Sequence, residues 1–173
     1  MMRNITDSYN AMIRRASVED VPTMMEIFAN ARGIMRASGN HYQWSDAYPS
    51  QEIILRDIED GVSYLLCSES GEIIATMAFI PGPDPTYAEI YDGEWQDDKE
   101  YHVIHRIAVT RPGLNAAKTL LDWAFSQCRT IRIDTHRDNV IMHHLLKKYG
   151  FSYCGVILLA NGDPRDAYSM SIG

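Results

Sequence analysis

The chain of 173 residues, 46% apolar and 23% charged, can bury the core of one compact domain and is short for two. Its formal net charge of −7 excludes a surface built to neutralise phosphates, so a small molecule or a protein is the expected partner and nucleic acid is not. Cys67, Cys128 and Cys154, with no CxxC spacing, exclude a disulfide framework or zinc knuckle and fit a reducing, cytoplasmic setting; no apolar run approaches the roughly 20 residues that cross a bilayer, so no membrane is expected.

Residues 1–10 read as a polar leader lacking the apolar segment of a signal peptide, and "AMIRRAS" as a short strand. "SVEDVPTMMEIFANARGIMRASGN" predicts a helix, with Ser17 as cap, Glu19 and Asp20 at the positive end of the dipole, an apolar face through Val21, Met24, Met25, Ile27 and Phe28, and a stop at Gly39-Asn40. After the aromatic loop "HYQWSDAYPS", a second helix places Ile53, Ile54 and Ile58 on one face and ends at Gly61. "VSYLLCSESGEIIATMAFI" is a hairpin, and "PGPDPTYAEIYDGEWQDDKEY" a long loop or irregular insertion. The second half reads as strand "HVIHRIAV", turn "TRPG", helix "LNAAKTLLDWAFSQC", strand "TIRID", helix "NVIMHHLLKKY" and a terminal strand pair. Strands interleaved with helices imply an α/β sheet covered on both faces.

"IRIDTHRDNVIMHHLLKKYGF" raises the question of a metal site. Ile131 and Ile133 alternate with Arg132 and Asp134 as in a strand, Asp138 or Asn139 can cap the following helix, and Gly150 ends it. His143 and His144 are adjacent, so on a helix they point about 100° apart and do not chelate as an i, i+4 pair would. Packed or surface histidines are the better expectation, and no metal is predicted.

The order of elements, together with "IRRASVEDVPTMMEIF", "VIHRIAV", "RIDTHRDNVIMHHLLKKYGFSYCGVI" and "GDPRDAY", resembles the GNAT family of acetyl-CoA-dependent N-acetyltransferases from Ile13 to Ile172. The resemblance implies a mixed α/β (α+β) fold: a mostly antiparallel sheet of about seven strands, a splayed central parallel pair, and helices on both faces. It also implies one domain over 1–173, with acetyl-CoA as co-substrate.

The coenzyme's pantetheine arm would lie on the main chain of Ile107, Ala108 and Val109, and its pyrophosphate on N–H groups of the next turn and helix start, Gly113, Leu114, Asn115, Ala116 and Ala117. There the chain departs from the family's pattern. Pro112 stands at the basic position and contributes no N–H, and Asn115 stands at the central glycine, so weaker coenzyme binding is expected. Asn139 occupies the position of a coenzyme-contacting Asn, a role compatible with simple capping, while Leu146 stands where many relatives carry an acidic Tyr.

For the acceptor, His105 on the central strand is the catalytic candidate, because a neutral imidazole can take the proton of an amine; a buried structural histidine is the plain alternative. His136 is a second base candidate, and His143, at i+4 from Asn139, one for touching the coenzyme. Trp44 and Tyr48 would form the wall of the acceptor site, with Tyr87, Tyr91 and Trp95 covering the same cleft and the acidic run "DGEWQDDKE" attracting a cationic amine. The expected activity is transfer of acetyl to a primary amine of a small molecule or peptide. The alternative is a non-catalytic coenzyme-binding or interaction module with a degenerate phosphate turn. A homodimer is compatible with the chain but not legible in it.

Overall fold

The computed structural model describes residues 12–110 and 115–173. The polar leader, and Pro112, Gly113 and Leu114 of the predicted phosphate turn, lie outside them. Seven strands are present: β1 (Met12–Arg15), β2 (Ser63–Cys67), β3 (Ile73–Pro81), β4 (His102–Val109), β5 (Thr130–Thr135), β6 (Ser152–Leu158) and β7 (Pro164–Ser171). Four α-helices join them: α1 (Val21–Ala37), α2 (Gln51–Glu59), α3 (Ala116–Gln127) and α4 (Val140–Tyr149). The sheet order is β1-β2-β3-β4-β5-β7-β6. Every pairing is antiparallel except β4 with β5.

Because helices lie on both faces, strand alternation sorts apolar side chains between two cores and leaves no polar face. On β2, Leu66 joins the core beneath α3 and α4, whereas Leu65 and Cys67 join the core beneath α1 and α2. Helix α1 follows a 3₁₀ turn, Val18–Asp20. Asp20 there accepts two bonds of 2.8 Å from Arg14 and one of 2.8 Å from the Ser17 main chain, and Ser17 makes no side-chain cap of its own. Helix α4 starts as expected, with Asn139 Oδ1 accepting from Met142 N at 3.1 Å.

The long insertion between β3 and β4 is packed against the far half of the sheet. Tyr87 is buried with Val103, Ile157 and Ala167, Trp95 Nε1 donates to Tyr87 O at 3.0 Å, and Tyr91 bridges to Val156. Arg132 stacks at 4.2 Å and 4.1 Å over the Trp95 and Tyr101 rings. Gly155 permits this crossing: its φ is +146°, and an added Cβ would sit 2.5 Å from Tyr91 O. No helix among the described residues is long and apolar enough to cross a membrane.

Candidate active site

The site follows from an irregularity in β4. Thr76 faces Ala108 while Ala78 faces His105, so β4 holds one residue more than β3 over this stretch, a β-bulge. Arg106 takes it up with φ +54°, a conformation an L-residue rarely adopts. The bulge advances the alternation by one. Val103 packs with the insertion, and beyond the bulge it is Ala108 that meets the core of α1 and α2, while Ile107 and Val109 turn to the core of α3. Parallel pairing of β4 with β5 is confined to His102–Ile131 and Val103–Arg132. Beyond it the strands separate, leaving a wedge between them.

Two cavities open from the wedge, and Met35, Ile107, Asn139 and Met142 line both. The first, about 160 Å³, is walled by Ala31 and Ile34 of α1, Ala108 and Val109 of β4, Ala117 of α3, and Ile141 and Leu145 of α4. Of the residues predicted to hold coenzyme, Ile107, Ala108, Val109, Ala117 and Asn139 thus come together. Asn115 and Ala116 are not part of the lining: Asn115 is exposed and the Ala116 side chain is in the core. Gly113 and Leu114 lie outside the described residues.

Asn115 nonetheless takes the left-handed conformation that the family's glycine would supply, with φ +50°, as Asn does more readily than most residues. Helical bonding starts at Thr119 N, which reaches Asn115 O at 3.0 Å, so the first-turn amides of α3 have no intrahelical acceptor. Asn40 lines the same cavity, and its buried Oδ1 has no partner among the described residues.

The second cavity, about 570 Å³, is the more polar of the two and is lined by His105. Its Nε2 lies 2.9 Å from Asp84 Oδ2 and its Nδ1 3.9 Å from Asp134 Oδ1. Tyr87 Oη donates to that same Asp134 oxygen at 2.6 Å. Burial pushes the Asp84 carboxyl up, but bonds from His105 and Thr86 outweigh it and hold it at about 2. The Tyr87 phenol is pushed well up, by burial first and by Asp134 second. An ionised Asp84 can only accept, so His105 Nε2 carries a proton toward it, and Nδ1 faces Asp134.

Trp44 and Tyr48, expected at the acceptor site, are in the lining of this cavity. Trp44 is also anchored edge-on against Phe28 and Tyr48, with ring centres 5.9 Å and 5.8 Å away. The Tyr48 hydroxyl accepts from Arg106 at 3.2 Å.

Other expectations need correction. Tyr87, Tyr91 and Trp95 do not cover the cleft: Tyr87 and Trp95 pack the insertion onto the sheet, while Tyr91 meets Val156 through its main chain and its exposed hydroxyl donates to Glu89. The acidic run does not supply the cleft's negative charge either. The Asp97 carboxylate accepts from Lys99 N and Ser171 while its main-chain oxygen accepts from Arg132, and the carboxylates that line the cleft are Asp84, Asp134 and Asp163. His143 is not in the lining of either cavity, its Nδ1 lying 2.5 Å from Tyr168 Oη, and its neighbour His144 is exposed. His136 accepts from Asp138 N at 3.0 Å, and Leu146 is in the core. Among the described residues no group of three or more His, Cys, Asp or Glu is placed to hold a metal ion.

Sequence reasoning missed Asp84, Asp134, Gln43 and the Arg106–Asp57 pair. Gln43 Oε1 accepts at 2.9 Å from both Asn40 and Asn139, tying the aromatic loop to α4. Only Asp134, at the end of the strand beside the predicted wedge, carried a positional signal.

The sequence pattern of the Acetyltransferase (GNAT) family matches residues 24–151, well over half of the chain. The chain belongs to the GNAT acetyltransferase family. Among solved structures, a GNAT-family acetyltransferase from Streptococcus agalactiae 2603 is 31% identical, with a TM-score of 0.85 over 94% of this chain and 96% of that one. The PaiA N-acetyltransferase of Thermoplasma acidophilum, solved with coenzyme A, shares the fold at 15% identity, TM-score 0.66, over 94% of this chain and 99% of that one. A polyamine N-acetyltransferase of Drosophila melanogaster shares it at 12% identity, TM-score 0.63, over 94% and 100%. No curated protein matches in sequence. Family membership makes this GNAT protein an acyltransferase, and the family together with its coenzyme-A-bound neighbour supports binding of an acyl-CoA.

Proposed function

We propose that this GNAT enzyme transfers acetyl from acetyl-CoA to a primary amine of a small molecule or peptide, by direct attack with both substrates bound. The observation that carries this is the position of His105, on β4 beside the wedge, in a polar cavity that shares four lining residues with an apolar one. The apolar cavity fits an acyl-CoA arm. Its walls are aliphatic, the β4–β5 ladder ends at Val103, and the unpartnered Asn40 Oδ1 is an acceptor suited to an amide N–H. Ile107 to Val109 would hold the arm, Asn139 would flank it, and the first-turn amides of α3 would meet the pyrophosphate.

When bound, acetyl-CoA supplies an acetyl group already activated as a thioester, so the route asks for positioning and proton transfer and needs no metal. Asp134 attracts the ammonium form of the acceptor. His105 Nδ1 takes its proton, and the imidazolium so formed lies between Asp84 and Asp134, two carboxylates that favour its charge. The freed amine attacks the thioester carbonyl, the C–N bond forms as the C–S bond breaks, and the proton shed by the attacking nitrogen goes to the leaving thiolate. Free thiols at Cys67, Cys128 and Cys154 accord with a cytoplasmic enzyme.

The test is thiol release from acetyl-CoA across an amine panel, with wild type and His105→Ala. The variant is expected to bind acetyl-CoA normally and lose roughly 10²- to 10⁴-fold in kcat, together with the ionisation in the pH profile. An unchanged kcat and profile would remove the base, and no release with any amine would overturn acetyl transfer itself.

A further inference from the structure

Arg165 is a charged side chain that acyl transfer leaves unused. It is the second residue of β7, is only 6% exposed, and lines the acceptor cavity. Its guanidinium donates to Pro164 O at 2.9 Å and to Gln43 O at 3.2 Å, both neutral carbonyls. No carboxylate oxygen among the described residues comes within 4.0 Å of it. The cavity's other arginine shows the contrast: Arg106 meets Asp57 through two bonds of 2.8 Å, so its charge is neutralised. Of five N–H donors on Arg165, two are used, and a buried cation without an anionic partner is costly. Burial accordingly pushes its pKa down, against the weaker pull of Asp134 and Asp163.

Register fixes where this charge stands relative to the chemistry. Ala167 faces Asp134 across the β5–β7 ladder, and Arg165 is two residues earlier, on the same face of β7, about 7 Å along the strand. The cavity therefore carries both signs on one face of the sheet: Asp84 and Asp134 beside His105, and Arg165, which donates to the aromatic loop at Gln43 O, with Asp163 also in the lining. From this geometry we propose that the acceptor is a small amino carboxylate, whose amine lies between His105 and Asp134 and whose carboxylate is bound by Arg165. The proposal rests on the acetyl-transfer function above and names its substrate class. A planar guanidinium fork matches a carboxylate bidentately, an arrangement that lysine does not reproduce.

The experiment compares matched pairs that differ only by the carboxylate: alanine with ethylamine, phenylalanine with phenethylamine, lysine with cadaverine. Thiol release gives kcat/KM for each, and thermal melting with each compound alone gives a readout independent of turnover. Wild type is expected to prefer the carboxylate-bearing member of at least one pair by roughly 10- to 150-fold, the value of one charge-assisted bond, and to melt higher in its presence. Arg165→Gln should bring that ratio to within about threefold, and Arg165→Lys should retain only part of it. Equal handling of all pairs by wild type, or a preference that survives in Arg165→Gln, overturns the proposal. If no amine releases thiol, acetyl transfer fails, and the melting comparison still decides whether Arg165 binds a carboxylate.

Discussion

At the scale of single residues, Asp84 sets the state of His105 and also part of the pH dependence of folding. Its carboxyl is held at about 2, against an ordinary 3.8, because the bonds from His105 and Thr86 exceed the penalty of burial. Asp20, bonded first of all to Arg14, is likewise held at about 2. Both folded values are depressed, so each contributes stability that is complete above the ordinary value and disappears as pH falls through about 2. Urea unfolding at stepped pH is expected to show stability falling between about pH 4 and pH 2, by on the order of 2 kcal/mol for Asp84 before discounting for solvent screening. Asp84→Asn should flatten its share of that slope; an unaltered slope would mean the bond to His105 contributes nothing to folding. Asp84 was not legible beforehand because it stands in "PGPDP", where proline and aspartate signal a turn and nothing more. His105 was legible because it interrupts an apolar strand next to the predicted wedge. What it bonds to depends on a segment that comes back about twenty residues earlier in the chain, a contact without local periodicity.

At the scale of elements, all four helices and seven strands follow from turn signals and apolar periodicity, and their ends fall within a few residues of expectation. The β4 bulge does not follow, because it exists only in the register of β3 against β4. Its strain is held by α2. Arg106, with φ +54°, reaches Asp57 through two bonds of 2.8 Å, and both side chains are nearly buried, 13% and 10% exposed. In sequence Asp57 looks like one more charge on an amphipathic helix, because the aspartate signal is the same whether it faces solvent or a distant arginine. Removing one partner of a buried pair leaves the other charge uncompensated, so Asp57→Asn is expected to cost about 3 kcal/mol or more. Replacing both with apolar residues should cost less than the sum of the single changes. A loss below about 1 kcal/mol for Asp57→Asn in urea unfolding would show that α2 does not hold the bulge.

At the scale of the whole molecule, the sheet is two antiparallel blocks, β1-β2-β3-β4 and β5-β7-β6, joined by two register pairs of one parallel ladder. Resemblance supplied this topology in advance, since the order of elements alone does not say which strands part. The insertion's place was hidden, because its aromatic residues suit a cleft lid and a packed surface equally well. Leaving the wedge open forgoes ladder bonds and apolar contacts, and the apolar cavity of about 160 Å³ is where that cost is concentrated. Filling it should therefore separate stability from function. Ala117, on the first turn of α3, lines the cavity and is only half-buried, so a larger side chain there can enter the cavity without displacing the core residue Ala116 beside it. Ala117→Phe is expected to melt at or above the wild-type temperature, because the ring gains apolar contacts and breaks none of the helix's own hydrogen bonds. Binding of acetyl-CoA in calorimetric titration should weaken by about tenfold or more, the equivalent of about 1.4 kcal/mol. Unchanged binding in a folded Ala117→Phe protein would place the coenzyme elsewhere than between α1, β4 and α4. A lowered melting temperature with unchanged binding would mean that the ring is refused by the cavity and strains α3 instead.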